Sequence, residues 1–184
     1  MGTLILILIN FTFIGALPRI FFRADGRFNA RWWMTAAPLF AAPISLVAMR
    51  AGFLEPMSDT LWQEIASVLL SVASIALMTF TLGTHRIPIS LWHQENDDPK
   101  SIVTWGAYKR IRHPFYASFI VALTSALVFA PHALTAASWL AGFAVLNMTA
   151  AREEKRLSAS QFGSEYVSYM SRTGRFLPRF GAKA

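Results

Sequence analysis

Cysteine is absent from the chain, and charged residues make up only 15% of it. The first absence excludes disulfides, thiolate metal sites, iron–sulfur clusters and a cysteine nucleophile. The second separates the chain from ordinary soluble domains, in which about a quarter of the residues are charged. Because 54% of the residues are hydrophobic, much of the apolar surface must face something other than water, and lipid is the simplest candidate.

Four long stretches contain no Lys, Arg, Asp or Glu; they are residues 1–18, 32–49, 65–84 and 114–151. A membrane-crossing helix needs about 20 mostly apolar residues. The fourth stretch is long enough for two short helices, with Pro131 and His132 at or near the turn between them. The first lacks the cationic start of a signal peptide, so we interpret it as a span. The sequence therefore predicts an all-α, polytopic membrane protein with about five transmembrane helices, the last two forming a helical hairpin.

We expect one membrane domain over residues 1–184. It would comprise three N-terminal spans (1–84), a cytoplasmic loop (85–113), the hairpin (114–151) and a cytoplasmic C-terminal segment with amphipathic tail helices (152–184). Five spans put every Lys and Arg except Arg50 on one side. The positive-inside rule makes that side cytoplasmic and leaves the N-terminus outside. The net charge of +7 is thus better explained by membrane orientation than by a nucleic-acid partner, and we expect none.

A first polar cluster, GAYKRIRHPFY at residues 106–116, precedes the hairpin. Pro114 suits the first position of a helix, where its missing N–H costs nothing. The free N–H groups of such a helix start attract carboxylates and phosphates. Alternatively, Lys109, Arg110 and Arg112 anchor the helix at lipid headgroups. The residues alone leave both interpretations open.

A second cluster, Glu153 and Glu154, follows the hairpin. Adjacent helical residues point about 100° apart, so these carboxylates cannot form one bidentate site on a regular helix. Either they belong to a solvated charged face, or one takes a cationic ligand group and the other a structural partner.

The segment FGSEYVSY at residues 162–169 follows the acidic pair. Gly163 is expected to end one helix and Ser164 to cap the next. Tyr166, Val167, Tyr169 and Met170 share a helical face that suits a membrane-surface helix. The histidines have no metal-ligand spacing, so we expect no metal site. Neither GxGxxG nor a P-loop occurs, which leaves a soluble nucleotide-binding fold unsupported.

Taken in order, these clusters resemble the superfamily of isoprenylcysteine carboxyl methyltransferases and phospholipid methyltransferases, which are integral membrane enzymes. The resemblance covers roughly the C-terminal half, and the three N-terminal spans carry no matching motif. The stretches that carry it are IVTWGAY at 102–108, RHPFY at 112–116, Glu153-Glu154 with Leu157, FGSEYVSY at 162–169 and RFLP at 175–178. RHPxY alone is moderately specific, whereas the whole ordered set is a strong signal.

The resemblance implies S-adenosylmethionine as cofactor, bound at the cytoplasmic end of the hairpin, and a lipid or lipophilic small molecule as methyl acceptor. The implied cofactor-binding residues are Lys100, Ser101, Ile102, Val103, Tyr108, His113, Pro114, Phe115, Tyr116 and Glu153. Their chemistry fits the cofactor, since Glu153 can take its ammonium group and the helix start its carboxylate. Tyr108 or Tyr116 can face the sulfonium through a cation–π contact.

On the acceptor side we expect Arg112, His113 and Glu154 to be catalytic. Arg112 would hold an anionic acceptor, and His113 or Glu154 would act as base for an amine or phenol. Thr149 stands where the eukaryotic prenylcysteine enzymes carry an arginine. The resemblance therefore favours a small lipid, phenol or thiol over a prenylcysteine carboxylate as acceptor.

Two other functions compete with methyl transfer. Membrane sterol and steroid reductases, which use NADPH, resemble the same hairpin, but the adjacent Glu pair followed by FGxxYxxY argues against them. A non-catalytic membrane partner protein could keep the fold and lose the activity. The presence of Tyr108, His113, Tyr116 and Glu153 argues against such decay.

Overall fold

The computed structural model describes residues 1–15, 27, 30–55, 60–84 and 102–179, and every regular element in this part of the chain is helical. The α-helices are α1 (Gly2–Gly15), α2 (Ala30–Arg50), α3 (Leu61–Thr84), α4 (Pro114–Phe129), α5 (Ala133–Ser158) and α6 (Gly163–Arg172). A 3₁₀ turn (Gly106–Lys109) precedes α4. The predicted all-α class is therefore confirmed for the described residues.

The first five helices fall on the predicted apolar stretches. Two of them, α3 and α5, are long and apolar enough to cross a membrane. The apolar helices or parts of helices in α1, α2 and α4 are shorter, at Gly2–Phe13, Leu39–Arg50 and Pro114–Phe129. Length and composition thus give a weak indication of membrane association.

The hairpin of α4 and α5 forms as local sequence signals predict. Pro114 is the first residue of α4, where a proline removes no helical hydrogen bond. At the turn, His132 Nδ1 accepts a hydrogen bond from the Leu134 N–H at 3.1 Å, and the His132 N–H donates to the Thr135 hydroxyl at 3.1 Å. This reciprocal capping fixes the start of α5. The helix runs beyond the predicted end at residue 151, so Glu153 and Glu154 lie on its last turns.

α3 packs on α1 and α4 through buried hydroxyls, which we call the serine row (Ser67, Ser71, Ser74, Ser118 and Ser125). Ser67 and Ser125 each donate to the other's carbonyl, at 3.1 and 2.9 Å. The Ser71 and Ser125 hydroxyls lie 2.7 Å apart, and Ser74 donates to the Ser118 carbonyl at 2.8 Å. Small side chains let two helix backbones approach closely, and their hydroxyls find partners across the interface.

The opposite face of α3 carries large apolar side chains on the surface. Ile65, Leu69, Val72 and Phe80 are each more than half exposed, with Leu69 at 65%. Ser67, Ser71 and Ser74 on the inner face are completely buried. A helix of a soluble protein shows the reverse pattern, with its apolar stripe facing the core.

The connection between α5 and α6 differs from the prediction. Gly163 does not end a helix but begins α6, and Ser164 does not cap it, because Phe162 is the N-cap residue and makes no side-chain capping bond. A Cβ at position 163 would collide with the Ser158 carbonyl oxygen. The glycine is therefore needed because the chain turns sharply against the end of α5. Tyr166 and Tyr169 of α6 are buried and pack on protein, whereas Val167 of the same predicted face is 53% exposed. The contact of this face with a membrane surface stays a prediction.

Candidate functional site

The start of α4 and the end of α5 meet at the open end of the hairpin. The Tyr116 hydroxyl donates to Glu153 Oε1 at 2.7 Å. Since Tyr116 is on the first turn of α4 and Glu153 near the end of α5, this bond confirms that the fold brings the two polar clusters together. We call the group that forms here the ion cluster: Arg112, His113, Glu153, Glu154 and Arg175.

His113 lies between the two glutamates. Its Nδ1 is 3.5 Å from Glu153 Oε2, and its Nε2 is 3.4 Å from Glu154 Oε1. The ring stacks on Tyr116, with centroids 5.3 Å apart and planes within 4° of parallel, and Phe176 approaches its edge. The contact at Nε2 lacks hydrogen-bond geometry, so this buried nitrogen has no hydrogen-bond partner among the described residues. Packing thus holds the ring while leaving part of its hydrogen-bonding capacity unused.

Glu154 joins three parts of the chain through two guanidinium groups. Arg112 Nε donates to its Oε1 at 2.9 Å. Arg175 donates from Nε to Oε1 at 3.1 Å and from Nη2 to Oε2 at 2.5 Å. Arg112 Nη1 also donates to the carbonyls of Met170 and Thr173. Charge-assisted bonds of this kind are the strong ones, so Glu154 is held as an ionised carboxylate.

The two adjacent glutamates therefore have different environments, as the 100° between neighbouring helical residues predicts. The Glu153 side chain is 23% exposed, and that of Glu154 is 9% exposed. Glu153 accepts from a neutral phenol, whereas both oxygens of Glu154 accept from guanidinium groups. Glu153 is thus the carboxylate that neither Arg112 nor Arg175 engages in these bonds.

The C-terminal segment after α6 packs beside residues 110–113. Ile111 and Gly174 form a parallel bridge. The N–H groups of Arg112 and His113 donate to the carbonyls of Gly174 and Arg175, at 2.8 and 3.1 Å. One donor of the α4 start is therefore already used within the protein. With a proline at the first helical position, the N–H groups of Phe115 and Tyr116 are the remaining candidates for the predicted carboxylate contact.

The 3₁₀ turn places Tyr108 beside the cluster. Gly106 has a φ of 59°, and a Cβ there would collide with the Thr84 side chain; the Ala107 N–H donates to the Thr84 hydroxyl at 3.1 Å. The Tyr169 hydroxyl donates to the Tyr108 carbonyl at 2.5 Å. Burial, together with the proximity of Tyr169 and Glu153, raises the pKa of Tyr108. The Tyr108 phenol therefore stays neutral and lies within electrostatic reach of Glu153.

The other predicted cofactor residues are spread more widely. Lys100 and Ser101 lie outside the described residues. Ile102 and Val103 are half-buried in the extended stretch before the 3₁₀ turn. Pro114 is buried at the start of α4, and Phe115 is buried in the core with its ring against Phe119. Within the described ranges, no group of three or more His, Asp or Glu could hold a metal ion.

Two residues that bind at this site, Arg175 and Asn147, were not among the predicted site residues. Arg175 binds Glu154, and its Nη1 donates to Asn147 Oδ1 at 2.7 Å. A usable signal existed for Asn147: it precedes Glu154 by seven residues, two helical turns, and so shares its face of α5. Arg175 stands in the RFLP motif, but the motif gives no hint of its partner, which is distant in sequence.

Comparison of the chain with protein-family models, with curated proteins and with solved structures finds no match. The functional conclusion therefore rests on the geometry of these residues and on the sequence motifs that supply them.

Proposed function

We propose that this protein is an integral membrane enzyme that transfers a methyl group from S-adenosylmethionine to a lipophilic acceptor. The observation that carries the proposal is the meeting of Tyr116 and Glu153 at one end of the α4–α5 hairpin, with His113 between Glu153 and Glu154. These residues come from motifs that are distant in sequence and resemble those of membrane methyltransferases.

The surface of α3 supports the membrane part of the proposal. A helix with buried serines and exposed Leu69 and Phe80 is suited to lipid, where apolar side chains face outward and polar ones turn to the protein interior. We propose that α1 to α5 all reach into the bilayer, the shorter ones by tilting little or by local thinning of the lipid. The positive-inside rule then puts the ion cluster on the cytoplasmic side and the N-terminus outside.

The residues at the site fit the polar groups of the cofactor. Glu153, the more exposed carboxylate, suits an ammonium group, which would form a charge-assisted bond with it. The Tyr116 hydroxyl donates to Glu153 and would orient that carboxylate toward the ligand. The buried His113 Nε2, which has no hydrogen-bond partner in the part of the chain that the structure describes, is the kind of unsatisfied atom that marks a functional position in native proteins.

The same geometry ranks the candidate acceptor-side residues. Both oxygens of Glu154 are engaged by Arg112 and Arg175, which favours His113 over Glu154 as the base for an amine, phenol or thiol acceptor. Arg112 is tied to Glu154 and to backbone carbonyls, which favours a supporting role over direct contact with an anionic acceptor. Bound S-adenosylmethionine would supply an electrophilic methyl group, and the chain would contribute mainly positioning, worth about 7–11 kcal/mol.

Ligand binding to the purified protein in detergent tests the proposal. Isothermal titration should show saturable binding of S-adenosylhomocysteine and none of NADPH. Membranes incubated with methyl-labelled S-adenosylmethionine should then transfer label to a lipid fraction. Saturable NADPH binding without S-adenosylhomocysteine binding would instead identify a reductase, and binding of neither would favour a non-catalytic partner protein.

A further inference from the structure

Arg175 connects the C-terminal segment to the hairpin. Its guanidinium group contacts both oxygens of Glu154 and also donates to Asn147 Oδ1 at 2.7 Å. Asn147 and Glu154 are two turns apart on α5, so one guanidinium group connects side chains from two turns of the helix. A guanidinium suits such a site because its donors lie in a fixed fork, whereas an ammonium is a single point charge.

Glu154 passes this constraint to the start of α4. Its Oε1 accepts from Arg112 Nε at 2.9 Å and from Arg175 Nε at 3.1 Å, and lies 3.4 Å from His113 Nε2. The orientation of the carboxylate therefore sets where the Arg112 guanidinium and the His113 ring can lie. Arg175 is the residue that donates hydrogen bonds to both oxygens of Glu154.

The backbone of the same segment acts on the same residues. The Arg175 carbonyl accepts from the His113 N–H at 3.1 Å, and the Gly174 carbonyl accepts from the Arg112 N–H at 2.8 Å. A Cβ at position 174 would collide with the Leu177 carbonyl oxygen, so the tight turn that delivers Arg175 requires glycine. Phe176, the next residue, approaches the edge of the His113 ring.

We propose that Arg175 is a positioning residue for methyl transfer, acting through Glu154, and through the Arg112 guanidinium bound to it, to hold His113 in the geometry that the acceptor meets. The inference rests on the proposed function and extends it to the C-terminal segment. The cofactor-facing pair, Tyr116 and Glu153, makes its own hydrogen bond, so Arg175 governs turnover more than cofactor affinity.

The test compares Arg175→Ala, Arg175→Lys and Arg179→Ala in the full-length protein in detergent. Arg179 is the matched control, because its Nη1 donates only to the carbonyl of exposed Ser171 among its described bonds. Two quantities are measured: the Kd of S-adenosylhomocysteine, and the transfer of tritiated methyl from S-adenosylmethionine to a lipid extract of the host membranes.

Misplacement of about 1 Å lowers rates on the order of 100-fold, so Arg175→Ala should reduce transfer by about that factor, Arg175→Lys by about 10-fold, and Arg179→Ala not measurably. The Kd should change by less than about threefold in all three variants. A tenfold change would require a loss of about 1.4 kcal/mol, and none of the variants removes Tyr116 or Glu153, the pair proposed to face the cofactor.

Asn147→Ala keeps the test decisive if Arg175→Ala does not fold, because it removes only one bond of the guanidinium. It should lower transfer about threefold to tenfold, the equivalent of one hydrogen bond.

Equal transfer rates in Arg175→Ala and Arg179→Ala, with intact cofactor binding, overturn the role of Arg175 alone. A parallel loss of binding, transfer and melting temperature in Arg175→Lys and Asn147→Ala also overturns it, since that outcome is purely structural. Failure of the unmodified protein to bind S-adenosylhomocysteine overturns the proposed function and the role of Arg175 with it.

Discussion

The serine row and the ion cluster are both buried and polar, yet they are built differently. In the serine row, neutral hydroxyls bond to carbonyls of the neighbouring helix or to each other, as Ser67, Ser71 and Ser125 do. In the ion cluster, two carboxylates and two guanidinium groups meet around the His113 ring. Hydroxyls cost little to bury once bonded, whereas charges cost several kcal/mol each unless paired. Neutral polar groups therefore serve close helix packing, and the charges are concentrated where they pair with one another at the open end of the hairpin.

The largest expected effect comes from removing the carboxylate that the ion cluster shares. Glu154→Ala leaves the Arg112 and Arg175 side chains without their common partner, and loss of one member of a buried pair costs about 3–5 kcal/mol. Because Arg175 is 32% exposed, we expect the lower end, about 3 kcal/mol. The free energy of unfolding in mixed micelles measures it, with Glu165→Ala on the exposed face of α6 as control. A loss no greater than in the control would remove Glu154 from its place as the shared partner.

The neighbouring carboxylate, Glu153, should matter more for ligand binding than for stability. Glu153→Gln keeps the shape and a hydrogen bond with Tyr116, but loses the charge proposed to hold an ammonium group. Hydrogen bonds to charged groups are worth about 1.5–3 kcal/mol, so S-adenosylhomocysteine should bind about 10- to 100-fold more weakly. Stability should change far less than in Glu154→Ala. Titration calorimetry measures the Kd, and an unchanged Kd relative to Glu165→Gln would take Glu153 out of the site.

A substitution in the serine row should affect folding through volume. Ser71 is completely buried against Ser125, so Ser71→Leu pushes α3 and α4 apart and removes the hydroxyl contact with Ser125. Overpacking of this kind costs about 1–3 kcal/mol. Thr79→Leu is the matched control, because Thr79 is on the exposed face of the same helix and bonds only to its own turn among the described contacts. Equal melting temperatures for the two variants would contradict close packing of α3 on α4.

The smallest expected effect is the loss of a hydroxyl from the same row. Ser125→Ala removes the bond to the Ser67 carbonyl and the contact with Ser71, but leaves no charge behind. Hydrogen bonds between membrane helices average about 0.6 kcal/mol, so the free energy of unfolding should fall by about that amount. Thr79→Ala again serves as control. A loss of stability as large as that of Glu154→Ala would contradict the proposed difference between the serine row and the ion cluster.

Local sequence signals predicted the elements well and the contacts between distant residues poorly. Pro114 marks the start of α4, and the Pro131-His132 pair marks the turn, because proline and capping side chains act on the backbone next to them. Gly163 was misassigned because a glycine before a helix has the same composition as one after a helix. Only the collision with the Ser158 carbonyl distinguishes the two.

The limit is the same at the site. Helix geometry predicts that Glu153 and Glu154 cannot form one bidentate site. The sequence did not identify Arg175 as the partner of Glu154 or place Asn147 beside it, because those contacts depend on how the C-terminal segment packs against α4 and α5. The serine row could not be predicted from the sequence either, because scattered serines in an apolar stretch lower its hydropathy without indicating which face they occupy.

Sequence alone determined the all-helical class, the position of the hairpin and the residue types gathered at its open end. These follow from hydrophobicity, proline and capping preferences, which act over one or two helical turns. Only the tertiary structure decided that Glu153 pairs with Tyr116 while Glu154 is locked between Arg112 and Arg175. Two adjacent, identical residues acquire different roles because the charges they meet arrive from segments that folding brings together.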